Sequence, residues 1–322
     1  MKRKFNYNKV NKYLSEISRS GIFSSRYGEM THRFEQAFAE LMGVNFAVAV
    51  NSGTSALHVA LKACGIGGGD EVIVPALGPT MTAQAVVLAG ATPVFADIDP
   101  ETFCIDQHRI GHVPFTKVRA IIPVHLFGNY CDMEAILEFK ELGVAIIEDS
   151  AQMVDPDKGL VGDIGAFSLE QSKQICTGDG GFCLTNDPKL AKKMRQFADN
   201  GVDCVTASDG RVKGDVGFDF IAPNYQMSEL TAALGLAQID DFPDKMWSVQ
   251  HRPMDASVFE KNLIDFGITY NRKPWDELVY QHPIFYKGGQ VTASCPVAEK
   301  IHPDLFVLLD SEKDKLKRME GL

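Results

Sequence analysis

Short β-rich runs alternate with helical stretches through the middle of this chain, and that alternation limits its possible folds more than any other feature. The runs are Phe46–Val50 (FAVAV), Glu71–Val74 (EVIV), Pro93–Ala96 (PVFA), Ala120–Val124 (AIIPV) and Val144–Ile147 (VAII). Between them Ser55–Cys64, Met81–Ala89 and Met133–Leu142 carry apolar residues at helical spacing. Strand and helix in turn imply right-handed crossovers, hence an α/β fold with a mostly parallel sheet and helices on both faces. The sheet region is expected over residues 31–240, with residues 1–30 forming a helix and an arm. After Pro243 the chain becomes aromatic and proline-rich and ends in a charged helical stretch, so residues 241–322 read as a small C-terminal domain.

Bulk properties exclude several classes. The 322 residues are 45% hydrophobic and 23% charged, enough to bury a core without cross-links. A formal net charge of -10 argues against general nucleic-acid binding, which needs a basic face, yet permits a small anion held by a few local donors. The 7 cysteines are odd in number and scattered without a CxxC pair, which points to neither zinc nor a disulfide frame. Reduced thiols suit the cytoplasm. The opening MKRKFNYNKV runs into polar residues instead of an apolar leader, and no apolar run is long enough to span a bilayer.

Three stretches carry chemistry. Asn51-Ser52-Gly53-Thr54-Ser55 follows the run FAVAV and precedes a helix. Small residues at such a turn present backbone N–H groups and hydroxyls to a phosphate, although Ser52 or Thr54 also reads as an ordinary N-cap. In AIIEDSAQ, Asp149 ends a buried run at the carboxyl edge of the sheet, where open α/β folds bind ligands. A carboxylate there can keep a pyridinium nitrogen protonated, or can simply cap a helix. In FSLEQSKQICTGDGG, Ser168 lies five positions before Lys173, and Gly178, Gly180 and Gly181 follow. A lysine in such a setting is a surface charge, a phosphate clamp or, once neutral, a Schiff-base former.

The order of phosphate turn, acid, hydroxyl and lysine resembles the fold-type-I pyridoxal-phosphate enzymes, and within them the DegT/StrS family of sugar aminotransferases. The matching segments are NSGTSALHVAL, GDEVIVPAL, GATPVFADIDPETF, PVHLFG, AIIEDSAQ, GDIGAFSLEQSK, GDGGFCLTND and NYQMSELTAALGLAQI, in the family's order. The resemblance implies a three-layer α/β/α large domain with a small, abbreviated C-terminal domain. It implies that Lys173 forms the internal aldimine with pyridoxal 5'-phosphate and then carries protons. Asp149 would pair with the ring nitrogen and Gln152 would sit beside the ring oxygen. The turn residues Ser52, Gly53 and Thr54, with Ser168, would hold the phosphate. Asn224 would reach the phosphate bound by a neighbouring subunit, so a homodimer with shared active sites is implied. His125 falls at a histidine of the family's pattern and reads equally as a buried strand-end residue, outside the catalytic set.

The implied reaction moves an amino group from glutamate or glutamine to a keto-sugar, nucleotide-linked and of the 3- or 4-keto-6-deoxy type. A keto-cyclitol is an alternative acceptor. Lys173 separates the chain from a related dehydratase branch with histidine at that position. A nucleotide-dependent dehydrogenase fits poorly, because Gly65-Ile66-Gly67-Gly68-Gly69 precedes the run EVIV, whereas a dinucleotide turn follows a strand. The chain also departs from the family. Pro79 stands where an aromatic ring commonly stacks on the cofactor, and Gln226 replaces a usual arginine. These departures leave open a degenerate member that binds or regulates without catalysis; the retained Lys173 and Asp149 oppose it.

Overall fold

The computed structural model describes residues 6–110, 115–206, 212–243, 246–251, 256–265, 268, 270–272, 274–275, 278–282, 294–309 and 312–320. Two helices come first, α1 (Tyr7–Ser20) and α2 (Met30–Met42). The expected alternation follows as β1 (Phe46–Val50), α3 (Gly53–Ala63), β2 (Glu71–Pro75), α4 (Thr80–Leu88), β3 (Thr92–Ala96), α5 (Gln107–Ile110), β4 (Val118–Ile121), α6 (Met133–Leu137) and β5 (Ala145–Asp149). Then come β6 (Ile164–Ser168), β7 (Gly181–Thr185) and α7 (Pro188–Ala198). A two-stranded ribbon, β8 (Val202–Thr206) with β9 (Val212–Phe218), leads to α8 (Glu229–Leu236). The helical spacing over Met133–Leu142 resolves into α6 and a 3-10 turn, Glu138–Leu142, which ends at Gly143 with φ 74°.

The main sheet has 7 strands in the order β1-β7-β6-β5-β4-β2-β3. β7 runs against both of its neighbours, while β2 to β6 lie parallel. Both faces are covered, which is why these strands read as continuous apolar runs. Side chains alternate accordingly: Val48, Val50 and Cys183 join the core under α3 and α4, whereas Ala47, Ala49, Phe182 and Leu184 join the core under α2 and α8. That second core is built on rings, with Phe38 stacked on Phe182 at 4.4 Å and edge-on to Phe167 at 5.4 Å.

In the C-terminal part, β10 (Trp247–His251), α9 (Ala256–Asp265), β11 (Tyr270–Arg272), α10 (Pro296–Ile301), β12 (Leu305–Leu309) and α11 (Lys313–Glu320) follow. Their three strands form an antiparallel sheet, β10-β12-β11, with a core of its own around Phe259, Leu263, Phe306 and Leu316. The Arg252-Pro253 step lies outside the described residues. Asp97, just past β3, ties this part to the main sheet by accepting the Val297 and Ala298 N–H groups, both at 2.9 Å, in the first turn of α10.

Candidate active site

The carboxyl ends of β1, β5 and β6 bring the sequence-derived residues to one edge of the sheet. Asp149 is the last residue of β5 and 1% exposed. Its Oδ2 accepts the Thr82 hydroxyl at 2.7 Å and its Oδ1 accepts the Ala151 N–H at 3.1 Å. Burial pushes the Asp149 carboxyl above its ordinary range; those two bonds and the charge of Lys173 oppose the shift.

Lys173 sits in the loop after β6. This loop closes on itself like a hairpin: Leu169 N–H donates to Gly180 O and Thr177 N–H to Leu169 O, both at 2.8 Å. The Lys173 N–H donates to Glu170 O at 2.9 Å, so residues 170–173 form a tight turn. Burial pulls the Lys173 amine below the usual lysine range, against the charges of Asp149 and Glu170. A half-buried amine that gives up its proton more readily is a nucleophile nearer neutral pH.

The turn of Asn51 to Ser55 and Ser168 meet at van der Waals limits. A Cβ added to Gly53 would lie 2.7 Å from Ser168 Cβ and 3.1 Å from its Oγ, so only glycine lets the start of α3 touch the end of β6. Gly181 is pinned in the same way, because an added Cβ would lie 2.6 Å from both Phe167 O and Ser52 O. Ser52 is the N-cap of α3: its Oγ accepts the Ser55 N–H at 3.1 Å and pairs with Ser55 Oγ at 2.8 Å. The capping reading of Ser52 therefore holds. Gly53 and half-buried Thr54 occupy the first turn of α3, where N–H groups point out of the helix.

Gln152 is fixed by its carbonyl, which accepts the Phe127 N–H at 3.0 Å. Phe127 presents that N–H from a left-handed backbone, φ 55°, and its ring stacks on Trp275 at 5.5 Å. His125 is fully buried; its Nδ1 accepts the Cys131 N–H at 3.3 Å, so the ring proton sits on Nε2 and is donated to Glu148 at 3.0 Å. Tyr130 stacks on the same ring at 3.9 Å. His125 thus packs behind the site, as its strand-end reading expects. Pro79 is the half-buried N-cap residue of α4, at φ -69°.

Asn224 is exposed, and its Oδ1 accepts the Gln226 N–H at 3.1 Å. It does not cap α8; Ser228 does, accepting the Thr231 N–H at 3.2 Å. The segment lies against the Asn51–Ser55 turn of its own chain, where Asn51 N–H donates to Tyr225 O at 2.7 Å and Val50 pairs with Gln226. Tyr225 OH also meets His58 Nδ1 at 3.1 Å, and burial, aided by the Lys62 charge, pulls His58 down to about 4. Glu229 anchors the start of α8: it is 2% exposed and accepts the Met30 N–H at 2.7 Å, the Thr31 N–H at 2.9 Å and the Thr31 hydroxyl at 2.7 Å.

Sequence reasoning missed Thr82, Glu170 and Glu229. The signal for Thr82 was its place in the first turn of the helix after EVIVP, the same sheet edge as Asp149. The sequence profile of the DegT/DnrJ/EryC1/StrS aminotransferase family matches residues 6–287. The chain belongs to that family. GDP-perosamine synthase of Caulobacter vibrioides is 42% identical over 222 residues, covering 67% of this chain and 58% of that protein. L-glutamine:2-deoxy-scyllo-inosose aminotransferase of Streptomyces paromomycinus is 32% identical over 244 residues, covering 73% of this chain and 57% of that protein. The chain thus matches under three fifths of the length of these two relatives. Among solved structures, ntda from Bacillus subtilis with bound cofactor pmp is similar at a TM-score of 0.79 and 25% identity, over 98% of this chain and 80% of that one. The fold is that of the fold-type-I aminotransferases.

Proposed function

We propose that this chain is a pyridoxal-phosphate-dependent aminotransferase that moves an amino group from glutamate or glutamine to a nucleotide-linked keto-sugar. Asp149 and Lys173 carry this reading: a buried acid and a half-buried amine, each felt by the other's charge, lie at the carboxyl edge of a parallel sheet. The donor set fits the cofactor. The first turn of α3 and the Ser168 hydroxyl suit a phosphate, the space that a Gly53 Cβ would fill keeps them together, and Asp149 suits a protonated ring nitrogen. Gln152, held through its carbonyl, keeps its amide N–H groups for the ring oxygen.

When bound, pyridoxal phosphate supplies a carbonyl carbon for the amine and an electron sink for the carbanion. Asp149 would hold the ring nitrogen and favour its protonated form. Lys173 Nζ, once neutral, would take the proton from the α-carbon of the amino donor and pass it on within that half-reaction, and in the second half would deliver a proton to the acceptor carbon that receives the amino group. Asn224 extends to the phosphate held by a second copy of the chain, which makes the working unit a homodimer, and the reduced thiols suit the cytoplasm. A division into an arm (1–30), a cofactor-binding domain (31–240) and a small domain (241–322) accompanies this reading. A keto-cyclitol as acceptor is the second reading, favoured by the likeness to the scyllo-inosose enzyme.

Borohydride reduction of the protein with pyridoxal phosphate, followed by peptide mapping, tests the centre of this proposal. The reduced cofactor is expected on the peptide bearing Lys173, with none on a Lys173→Ala variant. Cofactor on a different lysine overturns the assignment. Product mass spectrometry with glutamate or glutamine and a panel of nucleotide keto-sugars and keto-cyclitols then identifies donor and acceptor.

A further inference from the structure

Phe127 stands where its own backbone preferences would not put it. The chain reverses over Leu126 to Asn129, with the Asn129 N–H bonded to Leu126 O at 2.9 Å, and both central residues are left-handed: Phe127 at φ 55° and ψ 27°, Gly128 at φ 82°. Such a mirror-image turn favours asparagine, aspartate or glycine at its first central position, and a bulky side chain there is strained. Strain of this kind persists where the surroundings hold it, and it gathers at functional sites. What holds Phe127 comes from the C-terminal part. Its ring, 5% exposed, lies against half-buried Trp275 with the planes 23° apart and the centroids at 5.5 Å, the offset stacking that aromatic pairs prefer. Trp275 is anchored in turn. Its carbonyl accepts the His302 Nε2–H at 2.7 Å, and a little further on the Val279 N–H donates to Ala76 O at 3.1 Å, just past β2.

The strained residue directs its N–H to Gln152 Oε1, at 3.0 Å. A backbone N–H only donates, so the amide oxygen of Gln152 faces it and the two amide N–H groups face away. We propose that Trp275 is a positioning residue of the active site: by clamping the Phe127 ring it keeps that N–H on Gln152, and so keeps the Gln152 amide turned for the cofactor's ring oxygen. The role of the ring oxygen rests on the aminotransferase reading above; the clamp rests on the geometry of this chain alone. Without the stack, the turn is free to relax towards right-handed backbone, which swings the peptide between Leu126 and Phe127 and withdraws its N–H. Gln152 then has an amide with no preferred face, and the ring oxygen loses a fixed donor.

Hydrogen exchange at the Phe127 amide in the full chain freed of cofactor, read to single residues by fragmentation in the mass spectrometer, tests the clamp without any assay of turnover. In Trp275→Leu this amide should exchange about twofold to tenfold faster, the loss of one aromatic pair, while Trp275→Phe, which can still stack, stays near wild type. Phe127→Leu removes the stack from the other side and serves if Trp275→Leu does not fold. Unchanged exchange in a folded leucine variant overturns the proposal. The cofactor-loaded protein tests the consequence. An N–H donor on the ring oxygen favours its charged form, so losing that donor moves the pH midpoint of the bound cofactor's visible absorption band upward. The midpoint in Trp275→Leu should lie above that of wild type and no higher than in Gln152→Met, and the double variant should shift no further than Gln152→Met alone. A merely structural Trp275 would lower the melting temperature and leave the midpoint in place. Additive shifts in the double variant would mean that Trp275 does not act through Gln152. Either result overturns the proposal. Wild-type protein that takes up no pyridoxal phosphate sinks the aminotransferase reading instead, and the exchange experiment still decides whether Trp275 holds Phe127 on Gln152.

Discussion

Thr82 donates its hydroxyl hydrogen bond to Asp149 Oδ2 at 2.7 Å, joining the first turn of α4 to the last residue of β5. The bond is buried and its acceptor is a carboxylate, so it is worth about 1.5–3 kcal/mol. Thr82→Val keeps the shape and deletes the donor, leaving the Asp149 carboxylate with the Ala151 N–H but without its side-chain anchor. The single-turnover rate with glutamate should drop roughly tenfold to a hundredfold, at about 1.4 kcal/mol per decade. Thr82→Ser, which restores the hydroxyl, should recover most of the rate. Equal rates in wild type and valine variant would remove Thr82 from the site.

Asp149 should cost the cofactor-free protein stability in a pH-dependent way. Its folded carboxyl titrates above the ordinary value of 3.8. Its contribution to stability is therefore fully present below that value and is lost as pH rises through the raised one. Asp149→Asn keeps a partner for both the Thr82 hydroxyl and the Ala151 N–H and removes the charge. In thermal melts of cofactor-free protein the variant should be the more stable near neutral pH, with the gap closing as the buffer is acidified. A gap that widens on acidification contradicts the assigned direction.

Gly53→Ala places a methyl 2.7 Å from Ser168 Cβ. Relief requires α3 and β6 to separate, at a cost of about 1–3 kcal/mol for overpacking. Because the contact joins two elements that would hold the phosphate, affinity for pyridoxal phosphate should suffer beyond the fall in melting temperature. Equilibrium dialysis against free cofactor measures this; unchanged affinity alongside a lowered melting temperature would confine Gly53 to packing.

Asn224 and Lys173 should complement each other between chains. An amide bonded to a phosphate contributes roughly 1.5–3 kcal/mol, so Asn224→Ala should weaken cofactor retention. If each site takes Lys173 from one chain and Asn224 from the other, mixing the two single variants yields about half heterodimers with one intact site each. Activity should return to about a quarter of wild type. No recovery after demonstrated subunit exchange would mean that Asn224 does not work across an interface.

The sheet was legible because both its faces are buried: FAVAV and EVIV carry no polar break, and Asp149 announces itself as the acid that ends such a run. That Gly53 and Ser168 lie together at one sheet edge, with Lys173 in the loop that follows, was legible through their order. Thr82 was not, since a threonine in a first helical turn looks like any capping hydroxyl until the neighbouring strand is known. Glu229 was hidden for a similar reason. An acid in the first turn of α8 suits that helix's own dipole, and nothing local reveals that it accepts bonds from Met30 and Thr31 instead. The turn of residues 170–173 shows the same limit, because two hydrogen bonds from Ser172 turn an ordinary surface glutamate into a fixed charge.

The position of β1 in the sheet has a consequence for how the protein is made. β1 leaves the ribosome before every other strand of this sheet, yet its neighbour in the sheet is β7, with Phe46 opposite Thr185. At about 5–20 residues per second of synthesis, the partner emerges roughly 7–28 s later. Throughout that wait FAVAV is an apolar strand with two open edges, the kind of segment that pairs with other nascent chains. α2, whose first turn depends on Glu229, waits longer still. β1 and the helix α2 that packs on it are thus the last part of the main sheet region to be completed, and the stretch most exposed to mispairing during expression.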